Sequence, residues 1–84
     1  EAPLLTSAAD AAGDLLFVLN LRPGWLRIDA FGPDGRLRRR LTQRTPEMQK
    51  HFFPQDLAVR RVDGGYEAAV VFKEPEPRLD LYRF

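Results

Sequence analysis

Eleven of the thirteen basic residues are arginine, and five of them (Arg36, Arg38, Arg39, Arg40 and Arg44) fall within nine residues. Arginine presents a planar fork of donors that binds carboxylates and phosphates and stacks on aromatic rings. In an extended segment Arg36, Arg38 and Arg40 share one face, with Arg39 on the other beside Leu37 and Leu41. Trp25, Arg27 and Phe31 lie on the same side of the neighbouring alternating run. This yields a candidate contact surface made of Trp25, Arg27, Phe31, Arg38 and Arg40. Aromatic residues and arginine are enriched at protein interfaces. A basic face with stacking rings also suits nucleic acid, the alternative reading for 36–44.

Other chemistry is thinly supplied. The chain has one serine, Ser7, and one histidine, His51, in segments that nothing in the sequence brings together as nucleophile and base. There is no cysteine, which removes disulfides, thiol catalysis and thiolate metal sites. One histidine is too few for a transition-metal site. Asp63-Gly64-Gly65 reads as a hairpin turn rather than a phosphate loop. Asp29 and Asp80 sit mid-strand, where arginine is the expected partner. These features predict no enzyme activity, no cofactor and no metal.

The elements that hold these residues read as β. Leu15–Leu21 places Leu15, Phe17, Leu19 and Leu21 on one face and Leu16, Val18 and Asn20 on the other. Arg22-Pro23-Gly24-Trp25 is a turn. With Arg22 and Trp25 closing it, Leu21 meets Leu26, Leu19 meets Ile28 and Phe17 meets Ala30. Gly32-Pro33-Asp34-Gly35 favours a type I turn with a left-handed glycine followed by a bulge. That turn conflicts with the apolar pattern of 36–42. A plain two-residue loop sets Leu37 and Leu41 beside Ala30 and Leu26, with Arg27 facing Arg40 and Asp29 facing Arg38. The longer loop sets Phe31 opposite Leu37 and Asp29 opposite Arg39. The core-filling register is the expected one.

Asp63-Gly64-Gly65 links Leu57–Val62 to Tyr66–Phe72, which carries Tyr66, Ala68, Val70 and Phe72 on one face. Arg78–Phe84 is a further strand, open to pairing with a partner strand. Thr6, Ser7 and the alanines up to Gly13 suggest a short helix. Thr45-Pro46-Glu47 starts a second one that carries Met48 and Phe52.

The expected fold is therefore mainly β, with an α+β arrangement as the variant. It has six short antiparallel strands in two three-stranded meanders, with one or two short helices, forming a sandwich or half-barrel. The 84 residues suffice for a single small domain. A pseudo-repeat of 1–42 and 43–84 is suggested by Gly24-Trp25 and Gly65-Tyr66, Phe31 and Phe72, and Arg36-Leu37 and Arg78-Leu79. The hairpin Phe31–Leu37 resembles pieces of β-propeller blades, and Arg22–Asp29 is similar to strands of bacterial envelope lipoprotein carriers. Neither stretch assigns a family.

The charged fraction of 30%, the apolar fraction of 44% and the net charge of +1 describe a globular chain rather than a polybasic or disordered one. No stretch approaches the roughly 18 apolar residues of a membrane helix. The lack of cysteine fits the cytoplasm or an extracytoplasmic compartment equally. A start at Glu1 and an end at Phe84 inside an alternating run fit a processed chain or one domain of a longer protein. The function these residues predict is a non-enzymatic, β-rich binding or assembly module for a protein partner or a second copy. Nucleic-acid binding through 36–44, and a half-barrel enclosing a lipid or other apolar ligand in the cell envelope, are the alternatives.

Overall fold

The computed structural model describes residues 5–22, 25–44, 54–72 and 77–84. They form seven strands: β1 (Leu5–Ala12), β2 (Leu15–Arg22), β3 (Trp25–Phe31), β4 (Leu37–Arg44), β5 (Pro54–Val62), β6 (Gly65–Phe72) and β7 (Arg78–Arg83). The protein is mainly β, with two antiparallel meanders, β1-β2-β3-β4 and β5-β6-β7.

The first meander has four strands rather than three, because residues 5–12 are strand and not helix. Two helical turns of small residues are marginal without packing. As a strand the same residues pair with β2 and set Ala8 and Ala12 against the core. The helix expected from Thr45 onward, with His51, lies outside the described residues.

The inward faces carry the expected alternation. Phe17 and Leu19 of β2 and Leu26, Ile28 and Ala30 of β3 meet Leu57 of β5 and Tyr66, Ala68, Val70 and Phe72 of β6 in one core. The β2–β3 register is the one that the turn and pattern predict: Leu21 opposite Leu26, Leu19 opposite Ile28, Phe17 opposite Ala30. Phe17 binds the sheets together, with its ring 4.9 Å from Tyr66 and 5.7 Å from Phe84. Tyr82 and Phe84 also pack against this core.

The sheets also meet along their edges. Asp10 of β1 accepts the Val59 N–H of β5 at 2.7 Å. That bond satisfies a strand-edge donor which would otherwise need water.

The β3–β4 hairpin corrects the expected register. Gly35 has φ 79° and donates to the Gly32 carbonyl at 2.9 Å, as the Pro-Asp-Gly turn requires. Phe31 then faces Leu37, a bulge follows, and Ala30 faces Arg39, Asp29 faces Arg40 and Ile28 faces Leu41. Leu41 still reaches the core, whereas Leu37 points outward and is 44% exposed. The expected register opposed Arg27 to Arg40. The observed one brings Arg40 to Asp29, so charge and turn geometry together outweigh burial of one leucine.

Candidate functional site

The outer face of the first sheet is built on the odd residues of β3. Trp25, Arg27, Asp29 and Phe31 point away from the core because Leu26, Ile28 and Ala30 point into it. Beside them lie Leu16, Val18 and Asn20 of β2 and Leu37, Arg40, Thr42 and Arg44 of β4.

Asp29 is the centre of this face and only 2% exposed. The Arg40 guanidinium donates to its Oδ1 at 2.6 Å, and Arg27 and the Asn20 amide donate to Oδ2 at 3.0 and 3.3 Å. A carboxylate this buried is tolerated because its oxygens are all bonded, two of the donors being cationic. The network ties β2, β3 and β4 to one another.

Apolar residues occupy one end of the face. Leu16, Phe31 and Leu37 stand opposite one another across β2, β3 and β4. Leu16 is 48% exposed and Leu37 44%. At the other end the Arg44 guanidinium lies 5.2 Å from the Trp25 ring centre, a cation–π distance.

Four of the five expected contact residues (Trp25, Arg27, Phe31 and Arg40) thus share one face. Arg38 departs from them. It occupies the bulge and folds over the hairpin tip to Asp34 at 2.9 Å. The Arg36 N–H and the Arg38 guanidinium both donate to the Asp34 carboxylate and hold it below the usual aspartate range. Arg36 approaches Asp34 at 3.9 Å, and Arg39 lies 5.2 Å from the centre of the Tyr66 ring.

The second sheet carries a similar device that sequence reading passed over. Glu67 of β6 takes Arg60 of β5 on Oε1 at 2.9 Å and Arg83 of β7 on Oε2 at 3.1 Å. Both arginines stand directly opposite it in the ladder. These two bonds lower its pKa from the ordinary glutamate value. The Asp63-Gly64 turn already implied the Arg60–Glu67 pairing, since it sets Val62 opposite Gly65.

Asp80, the other acid singled out, is bonded by Arg78 at 2.7 and 2.9 Å and by the Tyr82 hydroxyl at 3.2 Å. Asp29 and Asp80 lie on different sheets, and each is held by arginine. Among the described residues no three His, Asp or Glu side chains group as metal ligands. No helix among them is long and apolar enough to cross a membrane. Comparison with known protein families, curated proteins and solved structures finds no match to this chain.

Proposed function

We propose that this protein is a non-enzymatic binding or assembly module. Its contact surface is the outer face of the first sheet, Trp25, Arg27, Phe31 and Arg40, with Arg38 at its hairpin edge. The carrying observation is the apolar row Leu16–Phe31–Leu37, with both leucines exposed and Phe31 half-buried, beside the arginine–Asp29 network. An apolar row of this kind, rimmed by polar groups, is what association with another protein covers. Trp25 and the arginines supply the residue types that anchor such contacts.

Nucleic acid is the weaker reading. Each arginine from 36 to 44 already has an intramolecular partner: Asp34 for Arg36 and Arg38, Tyr66 for Arg39, Asp29 for Arg40 and Trp25 for Arg44. A phosphate would have to displace those contacts. An enclosed apolar ligand is weaker still, because Phe17, Leu19, Leu26, Ile28, Val70 and Phe72 fill the space between the sheets.

Light scattering across a concentration series, paired with cross-linking to proteins of the source cell, tests the proposal. The native chain is expected to associate with itself or with a defined partner. The Leu16→Ser/Leu37→Ser double variant is expected to lose that association with its melting temperature nearly unchanged. A chain that stays monomeric and cross-links identically in native and variant form overturns the reading. Binding of a single-stranded oligonucleotide with a steep salt dependence would put nucleic acid in its place.

A further inference from the structure

Two sheets have four outermost strands, and here their edges are treated differently. β1 and β5 meet through the Asp10–Val59 bond. β4 carries a bulge near its start and four arginines, Arg38, Arg39, Arg40 and Arg44. Bulges and charges are the means by which an edge avoids recruiting another strand. β7 has no bulge, and its one central charge, Asp80, is tied back to Arg78 and Tyr82 on its own strand. It pairs with β6 in unbroken register from Glu67–Arg83 to Phe72–Arg78. Its middle residues are Leu79, Asp80 and Leu81, with the two leucines 59% and 58% exposed.

The backbone of β7 is poised in the same way. Tyr66 and Phe84 exchange both N–H···O bonds, at 2.8 and 3.1 Å. Antiparallel alternation then directs the N–H and C=O of residues 82, 80 and 78 to β6. It turns those of Leu79, Leu81 and Arg83 to the outer edge. Among the described residues no strand pairs with that edge. A groove of about 620 Å³ runs along it, lined by Arg78, Leu79, Asp80, Leu81 and Tyr82, with Gln43 and Arg44 on the far side. Five consecutive residues line it, so the groove follows the strand's edge and not one of its faces.

We propose that β7 recruits an extended segment of another protein as an eighth strand, and that this segment alternates apolar with acidic residues. Its backbone pairs with Leu79, Leu81 and Arg83, and its apolar side chains cover Leu79 and Leu81. Its acids answer the charge of the stretch 36–44, whose five arginines are balanced only in part by Asp29 and Asp34. Main-chain bonds supply affinity in this mode, and alternate side chains supply specificity. The groove is open to solvent, so a single extended chain can reach the edge from outside.

The test is amide hydrogen exchange read by NMR, with a short synthetic peptide alternating valine and glutamate as probe. In the free protein the N–H groups of Leu79 and Leu81 exchange fast, while those of Asp80 and Tyr82 are slow. Added peptide slows Leu79 and Leu81 by at least about tenfold, the equivalent of a hydrogen bond gained at each. The Leu81→Pro chain loses one edge donor and no bond to β6, so it folds and binds at least about tenfold more weakly. A peptide N-methylated on alternate residues fails in the same way and tests the point without altering the protein.

Slow Leu79 and Leu81 amides in the free monomer overturn the proposal, because the chain then fills its own edge. Protection that appears with protein concentration and no peptide replaces the segment by a second copy. Equal binding of a valine–lysine peptide removes the acidic preference, and unaltered binding of the N-methylated peptide removes strand addition.

Discussion

Asp29 shows how one carboxylate gives order to a surface. Its two arginines reach solvent while it does not, so removing it leaves cations that water can still serve. Asp29→Ala is therefore expected to cost about 2 kcal/mol, less than the loss of a partner from a fully buried pair. Arg38→Ala, by contrast, removes only an exposed bond at a hairpin tip and should change stability by less than about 0.5 kcal/mol. Chemical denaturation of the two variants checks the contrast. Arg40→Ala belongs with Asp29, so a binding defect in that variant has to be read beside its stability. Gly65 is a steric case. A Cβ there would lie 2.5 Å from the Phe84 carbonyl oxygen, on the backbone that closes β6 onto the chain end. Gly65→Ala should cost about 1–3 kcal/mol and expose the Phe84 N–H to exchange.

Strands in this protein are joined by acids placed between arginines as well as by ladders. Glu67 ties β5, β6 and β7 through Arg60 and Arg83, which lowers its pKa. A carboxyl whose pKa is lower folded than unfolded stabilises the fold fully above the unfolded value, and loses that contribution as pH falls through the folded one. Denaturation midpoints should therefore decline as pH drops below the ordinary glutamate range, near 4.3. The Glu67→Gln chain should start lower at neutral pH and show a shallower acid decline; parallel acid limbs in the two chains would contradict this. The β2–β3 and β5–β6 pairings were legible from turn residues and alternation, because a short turn fixes register. β4 was not, because two local rules disagreed over it. Its turn chemistry demanded a bulge while its leucines argued against one, and the arbiter was Asp29 on the neighbouring strand. β1 was misread because alanine-rich residues carry little period, and what makes them strand is pairing with β2.

The two sheets share one core, so they should unfold as one cooperative body. Phe17 from the first sheet contacts Tyr66 and Phe84 from the second. Phe17→Ala should cost about 3–5 kcal/mol and lower the unfolding transitions of both sheets together, as followed by Trp25 fluorescence and by exchange at β6. Separate transitions would mean that the sheets are independent. The aromatic pairs that suggested a repeat also face different ways. Trp25 and Phe31 lie on an outer face, while Tyr66 and Phe72 are core.

Composition and alternation sufficed to establish a mainly β chain, the inward faces of β2, β3 and β6, and the gathering of Trp25, Arg27 and Phe31 on one side. Those properties follow from a two-residue period and short turns, which are local. The burial of Asp29 under its arginines, the exposure of Leu37, the inward packing of Tyr82 and Phe84, and the edge of β7 that no described strand covers came from folding. Each depends on which strand lies beside which and on which edge is left over, and residues distant in the chain set those relations.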